Sequence, residues 1–498
     1  MVEFSFIIPF YEDGQLIDAQ IKSIQTLPFE HEIILFDERN NPNENDELSS
    51  NPNIRYVRRS HRNRAALFND GSMLAAGSYI AILPPDIEII PTDWPSVKES
   101  FLDNKTAVVY GDYISINFQQ KENTVKLWPF QNNIDERFSL GFFRIYRKQT
   151  LLENNGFDEH LFHSEEYDFR LRVQDTVKIM HIDKPLYKSI VRETEEIDPA
   201  MSKLHAPGQG AKGGFSYLFY TQEMEREIEF VFAEYLKRKG SYLSHRNEEI
   251  TYSASETFDC AVSIVIPILN RKHFIKHTIQ RVLNGTFSDF EIIVVDNGST
   301  DGTQEEVLSI DDPRVKLIQH NGICIADALN TGIRAARGKY ISQLDSDDEY
   351  TEHTLESMVN YMESHPKCGL AISYYDLIDI DSKPIAGMGI IKHLEYNRNN
   401  ILRVDGAGAL RFFHKKVLME FGLYNEKDYG NFGEDYDMVL KISEKYDVDR
   451  VHDVLYRYRR HDDNTDVQRP PAMKVYNKNN ARQDALNRRM KLNKNGSI

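Results

Sequence analysis

The chain has 498 residues, 41% hydrophobic and 11% aromatic, with 26 glycines and 18 prolines, a composition that fits two or three globular domains and excludes a fibrous or mainly disordered protein. Asp and Glu outnumber Lys and Arg by 77 to 60, a formal charge of −17, which repels a phosphate backbone and argues against nucleic acid as a partner. Cys260, Cys324 and Cys368, with no CxxC among them, exclude a disulfide framework and a structural zinc site and point to a reducing, cytoplasmic compartment.

In chain order, Phe4-Ser5-Phe6-Ile7-Ile8-Pro9 predicts a strand near the N-terminus. It lacks the basic region and small-residue cleavage site of a signal peptide. Glu32 to Asp37 predicts a strand ending in a carboxylate. The basic run Arg58-Arg59-Ser60-His61-Arg62-Asn63-Arg64 reads either as a phosphate-facing loop or as a solvated one. Leu83-Pro84-Pro85-Asp86 follows a third strand, and Glu165-Glu166-Tyr167-Asp168 precedes Phe169 and Leu171. Between the halves, Ala206 to Gly214 is loop by composition. Tyr217, Tyr220, Met224, Ile228, Val231 and Tyr235 then recur at steps of three and four, which predicts a helix with a core-facing stripe. The longest apolar stretch, Ala261 to Leu269, is interrupted by Pro267 and too short to span a membrane.

The chain then repeats itself. Pro9 returns as Pro267 at an offset of 258, Asp37 as Asp296 at 259, Gly77 as Gly338 at 261, and Asp168 as Asp437 at 269. Offsets that creep upward by insertions mark two duplicated domains rather than a solenoid. Ile-, Val- and Phe-rich runs alternating with helical patterns predict βαβ units and a mostly parallel, buried sheet. The expected organisation is a first α/β domain over 1–197, a loop and helical linker over 198–258, a second α/β domain over 259–470 and a basic tail over 471–498.

The chemistry is clearest in the second half. Asp296 ends a strand, where ligands of open α/β sheets collect; its carboxylate suits a uracil imide or a guanine edge, or else closes an Asx-turn. Tyr340 to Gln343 leads into Asp345-Ser346-Asp347-Asp348, hard oxygen ligands suited to Mg²⁺ or Mn²⁺ bridging a diphosphate. Asp379-Ile380-Asp381 has the same spacing in a predicted turn. Gly433-Glu434-Asp435-Tyr436-Asp437 opens an amphipathic helix, and Arg459-Arg460-His461 ends a basic strand. Taken in order with Val262-Ser263-Ile264-Val265-Ile266-Pro267 and Val295-Asp296-Asn297-Gly298-Ser299-Thr300-Asp301-Gly302, these motifs resemble the family-two glycosyltransferases of the GT-A fold.

The resemblance implies two tandem, Rossmann-like GT-A domains and an inverting, metal-dependent transferase of bacterial surface-polysaccharide synthesis. Asp296 and Asp345 would bind the donor nucleotide, Asp347 and His461 a divalent Mn²⁺ or Mg²⁺, and Asp435 would be the general base. Asn297, often Asp in the family, and Ile268-Leu269, often Thr-Tyr, blur the nucleotide. In the first half the same register implies Asp37 at the donor and Asp86 at the metal, with Glu166 as base. Pro84 stands over Asp345, and Arg192 over His461, where a guanidinium would neutralise diphosphate instead of a metal.

The retained carboxylates favour two active transferase sites. The alternative is a catalytic second half with the first half as an acceptor-binding scaffold; an activating enzyme or a carbohydrate-binding module is the reading outside the transferases. The implied partners are a nucleotide-sugar donor, a UDP-sugar foremost, and a glycan or lipid-linked acceptor. The segment from Lys474 carries seven bases against one acid, Asp484, and reads as a solvated tail, or as a peripheral dock on anionic lipid at the inner face of the cell membrane.

Overall fold

The computed structural model describes residues 2–11, 16–39, 47–117, 121–190, 220–385, 390–392, 397–404, 408–464 and 468–495. Arg192 and the loop 206–214 lie outside them. The chain forms two compact units, Met1–Tyr235 and Leu236–Ile498, so the division falls inside the predicted linker helix, which runs from Gln222 to Lys239. All three cysteines are free. Among the described residues no helix is long and apolar enough to cross a membrane.

The first unit is built on strands β1 Phe4–Phe10, β2 His31–Asp37, β3 Ile54–Arg58, β4 Tyr79–Ile82, β5 Ile87–Ile89, β6 Thr106–Ile116, β7 Glu122–Val125, β8 Arg144–Arg147 and β9 Lys178–Ile190. Their order is β3-β2-β1-β4-β8-β6-β9-β5, with β7 on β6. The second unit repeats it with β10 Cys260–Ile268, β11 Phe290–Asp296, β12 Val315–Gln319, β13 Gly338–Gln343, β14 Glu349–Tyr350, β15 Cys368–Ile378, β16 Ile390–Ile391, β17 Arg411–His414 and β18 Asp447–Arg459, ordered β12-β11-β10-β13-β17-β15-β18-β14.

The sheets are mixed, not mostly parallel. β1 to β4 pair in parallel, as do β6 and β9. β8 runs antiparallel between β4 and β6, and β5 antiparallel on β9. The parallel part is the part whose apolar runs are buried on both faces; β8 and β5 are short and carry little periodic signal.

The repeated Ser and Gly share one latch. Ser263 Oγ donates to Glu291 at 2.8 Å and accepts from Gly338 N–H at 2.9 Å; Ser5 Oγ does the same with Glu32 at 2.5 Å and Gly77 N–H at 2.8 Å. A Cβ on Gly338 would come 2.6 Å from the Ser263 nitrogen, so only glycine lets the strands close there.

Two expectations change. The basic run of the first unit is bound to its own acids: Arg59 pairs with Asp70, His61 bridges Glu38 (2.5 Å) and Asp70 (3.1 Å), and Arg64 reaches Glu165 (2.8 Å) and Glu166 (3.0 Å). The segment read as a solvated or lipid-docking tail is a helix, Pro471–Lys494, folded into the second unit. Ala481, Ala485 and Leu486 are buried, and so are two of its cations. Arg482 donates to the Leu402 carbonyl at 2.8 Å, and Arg489 to Ser443 Oγ at 3.0 Å. Charge count hid an apolar stripe whose arginines serve as buried donors, and cations spent on carbonyls are not available to lipid.

Candidate active site

In the second unit the carboxyl ends of β10, β11 and β13 open into a cleft of about 830 Å³, lined by Asn297, Asp345, Asp347, Arg411, Glu434 and Asp435 among others. Three of the acids singled out in sequence, Asp345, Asp347 and Asp435, therefore face one space. His461 stands against Asp347, with Nε2 3.0 Å from Oδ2, and Arg271 Nε is 3.4 Å from the same oxygen. Cis ligands of an octahedral Mg²⁺ at about 2.0–2.1 Å lie roughly 3 Å apart, so the Asp347–His461 spacing fits one cation. Among the described residues no cluster of three or more His, Cys, Asp or Glu is set to hold a metal; the remaining ligands would be donor phosphates and water, the usual coordination of Mg²⁺.

Asp345 is pushed up to about 6 by burial, with Arg411 opposing the shift and Asp347 adding to it. Asp435 opens the helix Glu434–Ile442 behind Gly433, whose φ of +94° is left-handed. Its Oδ2 accepts from Arg411 at 2.5 Å and its Oδ1 from the Tyr436 N–H at 2.7 Å. Burial and the neighbouring Asp435 raise the Glu434 carboxyl well above its usual range, and Glu434 Oε2 has no hydrogen-bond partner among the described residues.

Asp296 is buried behind this wall; Asn297, not Asp296, lines the cleft. Its carboxylate accepts from Ser299 N–H at 3.2 Å, the turn-closing arrangement, and from Gln304 Nε2 at 2.5 Å. Asp379 Oδ1 accepts from the Asp381 and Lys383 N–H groups at 2.9 Å, so Asp379-Ile380-Asp381 is a turn.

The first unit differs. Asp37 is gripped by Arg39 through Nε at 3.0 Å and Nη2 at 2.9 Å, and Tyr56 donates to it as well. Burial pushes the Asp37 carboxyl up, but Arg39 and Tyr56 outweigh it and hold it below its usual range. Arg39 also lies over the Phe10 ring at 3.9 Å. Glu166 is paired with Arg144 and with Arg64. Arg144–Glu166 repeats Arg411–Asp435, whereas Arg64 opens its helix where Ile325 opens the equivalent one. Two cavities of 210 and 180 Å³ share Gly141, Arg144, Tyr146 and Glu166. Asp86 lines neither, and its φ is +65°.

The family model for glycosyl transferase family 2 matches residues 5–162 and 263–422, more than half of the chain and one match in each unit. The chain belongs to glycosyl transferase family 2. Its two units are the α/β, GT-A-type domains expected of that family in tandem. Chondroitin synthase of Escherichia coli is 25% identical over 536 aligned positions, covering 96% of this chain and 74% of the relative. An uncharacterized glycosyltransferase of Rickettsia bellii is 24% identical over 393 residues, 72% of this chain, which spans 55% of that relative's length. The E. coli UDP-Glc:alpha-D-GlcNAc-diphosphoundecaprenol beta-1,3-glucosyltransferase WfgD is 31% identical over 176 residues, 34% of this chain and 68% of its own.

Sequence reasoning missed the arginines of this family 2 chain. Arg411 and Arg144 begin β17 and β8 in matching positions, Arg411-Phe412-Phe413-His414-Lys415 over Arg144-Ile145-Tyr146-Arg147-Lys148. That is a further copy of the repeat from which both could have been found.

Proposed function

We propose that the second unit moves a sugar from a nucleotide-diphosphate donor, a UDP-sugar, to a hydroxyl of a glycan or lipid-linked glycan in bacterial surface-polysaccharide synthesis, with inversion at the anomeric carbon. The names of the E. coli relatives, one a chondroitin synthase and the other a UDP-Glc transferase acting on a diphosphoundecaprenol-linked sugar, support that donor and those acceptors. Asp435 accepts the proton of the attacking hydroxyl, and Arg411 holds its carboxylate in place. Glu434, which lines the cleft with Oε2 unpartnered among the described residues, orients the acceptor. Arg271 lies beside Asp347 to meet the diphosphate. Asp347 and His461 would hold a divalent cation, which supplies Lewis-acid neutralisation of the departing diphosphate. One base facing the leaving group across the sugar implies a single in-line displacement.

The observation that carries this reading is the shared cleft of Asp345, Asp347 and Asp435, with His461 3.0 Å from Asp347. The first unit favours the scaffold alternative over a second transferase. Its Asp37 is bound at both oxygens by Arg39, its Glu166 meets the added Arg64, and proline replaces the first acid of the Asp-x-Asp pair. Pairing with internal guanidiniums accounts for the retention of Asp37 and Glu166 without a donor. The test is a panel of UDP-, GDP- and dTDP-sugars scored for nucleotide release by the full chain with and without Mn²⁺. Release confined to UDP-sugars and dependent on Mn²⁺ supports the reading; metal-independent release removes the roles of Asp347 and His461.

A further inference from the structure

The acid loop occurs twice in the chain with two different backbones. Matching registers fix the correspondence. Glu349 pairs with Arg457 and Tyr350 with Tyr456 across β14 and β18, as Glu88 pairs with Lys188 and Ile89 with Tyr187 across β5 and β9. Asp347 and Asp348 therefore answer to Asp86 and Ile87, and Arg459 to Ile190.

In the second unit, Asp348 and Arg459 are only 1% and 2% exposed. Asp348 Oδ1 accepts from the Arg459 backbone N–H and Oδ2 from the Tyr456 hydroxyl, both at 2.7 Å. The Arg459 guanidinium donates from Nε to the Asp347 carbonyl at 2.7 Å and from Nη1 to the Asp379 and Ile380 carbonyls at 2.8 and 3.0 Å. Nη2 donates to Glu349 Oε1 at 2.5 Å and Ser382 Oγ at 3.0 Å. One side chain thus ties the acid loop to the 379–382 turn. In the first unit, where both polar partners are isoleucine, the Ile190 N–H donates straight to the Asp86 carbonyl at 3.0 Å. Asp86 takes the left-handed φ of +65°, and Asp347 is not among the residues with positive φ.

Buried charged groups are seldom a net gain over apolar residues of similar volume, and the first unit builds the same sheet order around Ile87 and Ile190. The fold does not require the polar pair. We infer that Asp348 and Arg459 are positioning residues: by taking up the Arg459 N–H and the Asp347 carbonyl separately, they prevent the direct backbone bond seen at Asp86 and keep the Asp347 carboxylate in the cleft against His461. Their functional effect rests on the reading of Asp347 as a cation ligand; the backbone effect does not.

The experiment uses the full chain carrying Asp348→Ile with Arg459→Ile, the pair of the first unit, and in parallel Asp348→Ala with Arg459→Met, which also frees both the residue-459 N–H and the Asp347 carbonyl. Crystal structures should show the residue-459 N–H on the Asp347 carbonyl, Asp347 at positive φ and its carboxylate turned away from His461 in both double variants. Mn²⁺ binding in the presence of UDP should weaken by about 10–100-fold, the usual effect of removing support behind a metal ligand. Adding Asp347→Ala to either variant should weaken it no further, since coupled residues are non-additive. An unchanged Asp347 backbone in either double variant that folds overturns the inference. If the backbone turns as expected but Asp347→Ala alone leaves Mn²⁺ binding intact, the positioning stands and the cation reading of Asp347 fails.

Discussion

Asp347 Oδ2 and His461 Nε2 meet at 3.0 Å across the end of β18, although 114 residues separate them in the chain. The contact depends on β18 running the length of the sheet and delivering Arg459 and His461 behind the acid loop. Chelation should therefore abolish transfer, with Mn²⁺ or Mg²⁺ restoring it. Asp347→Ala and His461→Ala should each raise the Mn²⁺ concentration needed for half-maximal rate, whereas Asp381→Ala, at an exposed position of the turn, should leave it unchanged. Equal metal titrations for Asp347→Ala and the wild type contradict the assignment.

Arg39 is expected to be structural. Removing it in Arg39→Ala leaves the buried Asp37 without its bidentate partner, which costs about 1–3 kcal/mol of stability, measured by denaturant unfolding. Transfer at a temperature where the variant is folded should be unaffected.

Acid stability of the second unit should run through Glu291. Burial raises its pKa, but hydrogen bonds from Lys316, Ser263 and Arg337 outweigh that and bring it to about 2. A depressed carboxylate contributes stability above its unfolded value of 4.5 and loses it as pH falls toward 2. Lys316 and Arg337 are half-exposed, so solvent screening leaves a contribution of about 1–2 kcal/mol. Glu291→Gln should destabilise at pH 7 and flatten the loss between pH 4.5 and 2 in thermal unfolding; parallel curves for variant and wild type contradict this.

The helix Pro471–Lys494 should behave as core. Leu486→Ala, at a buried position, is expected to cost about 2–5 kcal/mol. Vesicles of anionic lipid should not sediment the folded protein through Arg482 or Arg489. Arg482→Gln and Arg489→Gln should alter unfolding but not sedimentation.

The duplication into two α/β domains was legible because β1, β2 and β4 and their counterparts carry apolar runs, turn residues and close-packed glycines that recur at near-constant offset. The antiparallel β8 and β17 were not legible as such. Each is four residues long, and no apolar periodicity marks its direction. At the site, the acids stand out in sequence and the cations that meet them do not. Arg39, two residues from Asp37, reads as loop, and only the fold brings Arg64 and Arg144 onto Glu166 from 102 and 22 residues away. That is why retained carboxylates in the first half suggested a second active site, while the contacts around them favour a scaffold.

The most direct measurement compares transfer by full-length Asp435→Asn and Glu166→Gln, each offered UDP-sugars and an acceptor glycan, with product and released UDP both followed. The account predicts that Asp435→Asn loses about 10²–10⁴ in turnover, the scale of a general base, with donor binding retained, and that Glu166→Gln keeps every transfer the wild type performs. A transfer that disappears in Glu166→Gln and survives in Asp435→Asn would contradict it, and would make the first unit a transferase in its own right.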